Sequence, residues 1–173
     1  MTPEITAGFK PEMPEYGKWS QKQRIEEAKK LLQEAGYDGD HPLEFTVLYN
    51  TSDNHKKIAT AIQSMWKKEL GVKVKLENQE WKTFLDTRRN GEFDVTRAGW
   101  SADYNEASSF LSLMQSNNSS NDSKYHSDVY DSLMEKAMQT LDDKERANYY
   151  TEAEKLLLKI CLLRQFISTL CLV

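Results

Sequence analysis

The sequence predicts an α/β fold. Stretches with apolar residues at every second position alternate with stretches at helical spacing, and the helices between strands run for about 10–20 residues, enough for crossover connections over a sheet flanked by helices. A length of 173 residues suits one domain. With 39% hydrophobic and 10% aromatic residues there is enough apolar surface for a core, which excludes a disordered chain.

The elements follow in order. Ser20 and Gln23 form a capping box for a helix to about Ala35, with Ile25, Ala28, Leu31, Leu32 and Ala35 as its stripe and Gly36 as its stop. Leu43–Tyr49 alternates as a strand with Leu43, Phe45, Val47 and Tyr49 on one face. Ser52 or Asp53 caps the second helix, whose expected buried stripe is Ile58, Ala61, Ile62, Met65 and Leu70, with Gly71 ending it. Val72, Val74 and Leu76 alternate with charged residues as a half-buried strand. A third helix runs from about Glu80 to Asn90, and Phe93–Trp100 is expected as the third strand. Gln115–Lys124, rich in Asn and Ser, is expected as a loop. One more helix is capped near Ser127, with Tyr130, Leu133, Met134, Ala137 and Leu141. The last is opened by Asp142 and Glu145, with Tyr149, Ala153, Leu156 and Leu157. Ligand sites on such sheets lie beyond the C-terminal ends of the strands, which selects Asn50–His55 and Gly99–Glu106.

Composition narrows the function. A net charge of −4 lacks the basic face that non-specific nucleic-acid binding needs. No run of apolar residues is long enough to span a bilayer, and Met1–Lys10 lacks the basic-then-apolar pattern of a secretory signal. Both cysteines, Cys161 and Cys171, lie in the last thirteen residues. A body without cysteine is compatible with an oxidising compartment, but many cytosolic domains also lack cysteine, and that is the plainer reading. There is no metal-ligand spacing, phosphate loop or nucleophile elbow, so no cofactor is expected.

Arg97-Ala-Gly-Trp-Ser-Ala-Asp103-Tyr-Asn-Glu106 stands out. It gathers a guanidinium, an indole, two carboxylates and a glycine at an expected strand end. As a recognition loop, Gly99 lets another backbone approach and Asp103 holds a cation. The plainer alternative is a solvated turn with Trp100 buried. Asp103 and Glu106 could also form an acid/base pair of a hydrolase, but nothing in the spacing sets them in different environments. His55, in the first turn of the second helix, is either a surface residue or meets an anion in the cleft. Trp81, at the start of the third helix, is core or rim on the plainer reading and ligand wall on the functional one. Arg88 and Arg89 suit a helix C-terminus and need do nothing more. Lys56, Lys57, Lys67 and Lys68 read as a solvated face.

Four runs of residues carry a family resemblance. Glu26-Glu-Ala-Lys-Lys-Leu-Leu-x-Glu-Ala-Gly-Tyr37, Leu48-Tyr-Asn-Thr-Ser-Asp-x-His-Lys-Lys57, Asn78-Gln-Glu-Trp-Lys-Thr-Phe-Leu-Asp-Thr-Arg88 and the Arg97–Glu106 run resemble the C-terminal lobe of periplasmic oligopeptide-binding proteins, within the dipeptide/oligopeptide/nickel solute-binding family of ABC importers. The resemblance extends from about Pro11 to Leu157. It implies one lobe of a two-lobed periplasmic-binding-protein type II fold, a mixed sheet flanked by helices, closing on a peptide about a hinge. The implied function is non-catalytic capture of short peptides, with main-chain pairing and water-filled side-chain pockets giving broad specificity. Asp103 matches the residue that pairs with the peptide α-ammonium. Gly99 and Ser101 match positions whose backbone pairs with the peptide, in the segment that includes Trp100. Trp81 matches a pocket wall. Arg97 and His55 match groups that meet the peptide carboxylate, Arg88 a more distant basic residue, and Asn50 a weaker correspondence. The implied partners are short peptides and permease subunits, acting on a monomer in the periplasm. A receptor for murein tripeptides shares the same loop, and there Arg88 would serve an extra carboxylate.

Two departures accompany the resemblance. The family's chain is far longer and begins with a signal peptide, so residues 1–159 correspond to part of the C-terminal lobe. Without the opposite wall of the cleft, weak or no peptide binding is expected. The absent signal counts against export of this chain. From Ile160 onward the chain leaves the family pattern. One added guanine before codons that could encode Ile160–Ile167 restores Asp-Met-Pro-Ile-Ala-Pro-Ile-Tyr, so residues 160–173 are expected to be an out-of-frame tail. On that reading the cysteines say nothing about compartment, and the coding DNA tests it.

Overall fold

The computed structural model describes residues 2–3, 6–11 and 13–160. Except for Ile160, the expected tail 160–173, with Cys161 and Cys171, lies outside the described residues. The chain divides into two compact units, Glu15–Ala98 on the one hand and the residues up to Pro14 with those from Gly99 onward on the other.

The Glu15–Ala98 unit opens with a 3-10 turn, Glu15–Lys18, and then alternates helix and strand: α1 Gln21–Glu34, β1 Glu44–Asn50, α2 Asp53–Leu70, β2 Lys73–Gln79, α3 Trp81–Asn90 and β3 Val95–Thr96. The three strands form one parallel sheet in the order β2-β1-β3. β1 and β2 pair in register from Glu44 with Lys73 to Asn50 with Gln79. The connection through α2 moves to one side of β1, and the connection through α3 crosses back to the other. Right-handed crossovers therefore put the two helices on opposite faces of the sheet. The strand order reverses between β1 and β3, which is the topological switch point where crevices form.

The helix ends follow the local chemistry of the sequence. Ser20 Oγ accepts the Gln23 N–H and Gln23 Oε1 accepts the Ser20 N–H, so the capping box is complete. Ser52 caps α2, and Gly71 closes it in the left-handed region at φ 73°. On the α2 face, Val47, Val72 and Val74 are buried with Leu43, Phe45, Trp66 and Leu70 packed against them. The expected α2 stripe is rotated from the observed one. Ile58 and Met65 are 39% and 55% exposed and Ala61 is exposed, whereas Ala59, Ile62, Gln63 and Trp66 turn inward. Two contacts set this rotation. The Trp66 ring lies 5.6 Å from Phe45, and Gln63 Nε2 donates to the Val74 carbonyl at 2.7 Å.

β3 is far shorter than the expected Phe93–Trp100. At its start the Asp94 carboxylate takes the Thr46 N–H at 2.9 Å, where a backbone carbonyl would continue the ladder. At its end the Arg97 N–H bonds the Leu48 carbonyl at 2.9 Å, and Ala98 is exposed.

The other unit contains α4 Ser108–Leu111, a 3-10 turn Ser112–Met114, α5 Asp128–Gln139 and α6 Asp143–Lys159. Its core joins Phe9, Leu111, Met114, Tyr130, Met134 and Leu157. Tyr150, rather than Tyr149, is the fully packed tyrosine of α6, at 3% exposed. Leu141 lies past the end of α5 at 95% exposed, so the α5 stripe stops at Ala137. The 115–124 loop is irregular as expected but not fully solvated. Asn121 is buried and donates to the Gln115 and Tyr125 carbonyls.

Candidate functional site

The C-terminal end of the parallel sheet collects four of the candidate residues. Asn50 is the last residue of β1, Arg97 follows β3, His55 lies in the first turn of α2 and Trp81 is the first residue of α3. The polar turn Thr51-Ser52-Asp53 places His55. Ser52, in extended conformation, turns its Oγ to the His55 N–H, and Thr51 Oγ1 is 3.0 Å from Asn78 Oδ1. Asn50 is 8% exposed. Its Oδ1 and the Nδ1 of His55 are buried without a hydrogen-bond partner among the described residues. A buried polar atom without a partner costs free energy, so both are suited to a ligand's polar groups.

Trp81 is 49% exposed and stacks on the buried Phe84, with 5.8 Å between ring centroids. It therefore forms a rim with one face open rather than a piece of core. Arg88 lies two turns further along α3, with its guanidinium 5.4 Å from the Phe84 ring centroid, a cation–π distance. Burial first, and the charge of Arg88 second, hold the Arg97 guanidinium below its ordinary pKa. The two guanidiniums are thus like charges close enough to disturb one another.

Gly99, Trp100, Ser101 and Asp103 belong to the other unit, and all four are exposed. Trp100 is 44% exposed, so the alternative of a solvated turn with Trp100 buried fails in its second half. Asp103 is held by its main chain: its N–H donates to Ser109 Oγ at 3.2 Å. Its carboxylate is exposed. Glu106 is different. Ser108 Oγ donates to its Oε2 at 2.7 Å and the Tyr150 hydroxyl to its Oε1 at 3.1 Å.

Sequence reasoning passed over Ser108, Ser109 and Tyr150. Tyr150 carries a signal, because 150, 153 and 157 recur at helical spacing. The serines carry none, since Ala-Ser-Ser-Phe-Leu is too short to show a period.

A parallel sheet whose strand order reverses at this switch point sets the ends of β1 and β3 where α/β domains bind ligands. The family is decided by comparison. Residues 1–122 match the model of bacterial extracellular solute-binding proteins, family 5 Middle, and the chain belongs to that family.

The chain is 57% identical over 154 residues to the periplasmic oligopeptide-binding protein OppA of Salmonella typhimurium, covering 89% of this chain and 28% of that protein. It is 50% identical over 158 residues to the periplasmic murein peptide-binding protein MppA of Escherichia coli, covering 91% of this chain and 29% of that one. In structure it is similar to Haemophilus influenzae OppA in complex with the peptide RPPGFSPFR, with a TM-score of 0.85 and 47% identity, covering 90% of this chain and 31% of the other. The chain thus spans under a third of the length of these relatives. They are periplasmic solute-binding proteins.

Proposed function

We propose that this chain supplies one wall of a peptide receptor of an ABC importer, and that its ligands are short peptides of about two to five residues. Asp103 pairs with the peptide α-ammonium, the backbone at Gly99 and Ser101 pairs with the peptide main chain, and Trp100 flanks that edge. Trp81 borders a side-chain pocket. Arg97 and His55 meet the peptide carboxylate, with Arg88 behind them and Asn50 contributing a polar contact. No catalysis is involved, and the partners are permease subunits on the membrane. The protein acts as a monomer in the periplasm. Residues 1–159 correspond to part of the C-terminal lobe, and residues 160–173 to the tail.

The observation that carries this reading is the similarity to peptide receptors over nine-tenths of the chain. The chemistry is consistent with it. A peptide is a dipole with a cation at one end and an anion at the other, and the candidate set provides one exposed carboxylate and two guanidiniums that repel one another.

Affinity for this chain alone is expected to be weak. An exposed ion pair is worth about 0.2–1 kcal/mol, because water screens it. Titration of the ¹⁵N-labelled chain with a tripeptide, followed by amide chemical shifts, tests this. The expected result is millimolar binding that moves amides at 50–55, 97 and 99–103. N-acetylation of the peptide removes the shifts around Asp103. Peptide shifts that fall outside 50–55, 97 and 99–103 overturn the proposal.

The 50% identity to the murein peptide-binding protein favours a second reading, in which Arg88 meets an additional ligand carboxylate. Competition between an ordinary tripeptide and a murein tripeptide, compared with the same competition in Arg88→Ala, separates the two. Loss of murein-tripeptide preference in the variant supports the second reading, and no preference in the parent removes it.

A further inference from the structure

The proposed peptide contacts leave Glu106 without a role, yet it sits at the centre of a hydrogen-bond relay. Its two oxygens receive Ser108 Oγ at 2.7 Å and the Tyr150 hydroxyl at 3.1 Å, and Arg146 Nη1 lies 3.9 Å from Oε1. Ser108 Oγ is also 3.0 Å from the Tyr104 hydroxyl. A serine has one hydroxyl proton, and here Glu106 takes it, so Tyr104 must be the donor in the second bond. The relay therefore runs in one direction, from Tyr104 through Ser108 to Glu106. Tyr104 is 50% exposed and adjoins Asp103, whereas Ser108 and Tyr150 are buried on α4 and α6. Two further bonds hold the same stretch. The Asp103 N–H goes to Ser109 Oγ, and Asn105 Oδ1 accepts the Ala7 N–H at 2.9 Å. Asp103, Tyr104 and Asn105 are each tied down, and Asp103 is exposed with its main chain fixed.

We infer that Glu106 is a positioning residue: as a carboxylate accepting from two hydroxyls, it fixes the direction of the relay and so holds the loop that presents Asp103. This rests on the reading of that loop as peptide-binding only for its consequence. The brace itself is a property of the chain. It assigns the second carboxylate of the Asp103/Glu106 pair to loop geometry. A ligand ammonium then meets a carboxylate already in place, which lowers the ordering cost of binding.

Amide hydrogen exchange on the full chain tests the inference. Glu106→Gln keeps the size of the side chain but gives it one acceptor and one donor, so the relay cannot run in its original direction. Exchange at residues 101–106 is expected to speed up about three- to tenfold, the scale of one net hydrogen bond, while amides of α5 keep their protection. Ser108→Ala is expected to reproduce this, and the double variant to add nothing. Tyr104→Phe removes the donor at an exposed position, where folding is not at risk, and is expected to speed exchange at 103–105. A second readout is the Tyr150 phenol. Burial, together with the Glu106 charge and hydrogen bond, pushes it up to about 12 against the opposing effect of Ser108, and it is expected to fall in Glu106→Gln.

If Glu106 only fills space, Glu106→Gln exchanges like the parent and Tyr104→Phe has no effect, and the inference is overturned. The tripeptide titration is run on the same samples. A parent whose peptide shifts fall away from residues 99–103 defeats the functional reading, while the exchange data still decide the brace.

Discussion

At Asp103 the main chain and the side chain do different work. The N–H is committed to Ser109 Oγ, and the exposed carboxylate is left for a ligand. Because that carboxylate stands in water, Asp103→Asn is expected to weaken tripeptide binding by this chain less than about fivefold, with no change in melting temperature. A larger loss in a chemical-shift titration would mean that the carboxylate is covered when ligand binds. Tyr130 is the opposite case. It is fully buried, and its hydroxyl donates to the Leu111 carbonyl at 2.6 Å. Tyr130→Phe removes that buried bond and should cost about 0.5–1.5 kcal/mol in urea unfolding. Helical spacing puts Tyr130 on the inward stripe of α5, but the partner of its hydroxyl, Leu111, leaves no mark in the sequence.

Element ends were the most legible part of the fold. Ser20 with Gln23, Ser52, Ser127 and Asp142 all cap helices as their sequence positions suggest. Ser127→Ala should destabilise the chain by about 1 kcal/mol. Gly71→Ala, at φ 73° with open space around it, should cost about 1–2 kcal/mol from backbone conformation alone. α5 and α6 also carry a pH dependence. Burial raises the phenols of Tyr130 and Tyr150, the latter to about 12. A phenol raised above its unfolded value near 10 holds its proton more tightly in the folded chain. Its contribution is complete below pH about 10 and is lost as pH rises from about 10 through 12. Alkaline unfolding followed by circular dichroism should therefore coincide with a late tyrosinate absorbance step, and a tyrosinate titration complete before structure is lost would contradict this. Strand length was less legible: β3 is cut short by the Asp94 carboxylate, a contact that the Phe93–Trp100 pattern does not show.

Over the whole molecule, each compact unit has its own core, one around Val47, Val72 and Val74 and the other around Leu111, Tyr130 and Met134. Leu111→Ala, at a position with no exposure, should cost about 2–5 kcal/mol. The loss should appear first as faster hydrogen exchange in α5 and α6, with β1 and β2 less affected, and equal loss throughout would show that the units unfold as one. The α/β class, the helix caps, the strand faces and the family were all readable along the chain, because they depend on residues within a few positions of one another or on long runs of identical residues. The direction of the α2 stripe, the extent of β3 and the role of Glu106 were not. They depend on Trp66 against Phe45, on Thr46 bonding Asp94 48 residues away, and on Tyr150 reaching Glu106 across 44 residues. Contacts between positions so far apart leave no period in the sequence, and folding alone brings their partners together.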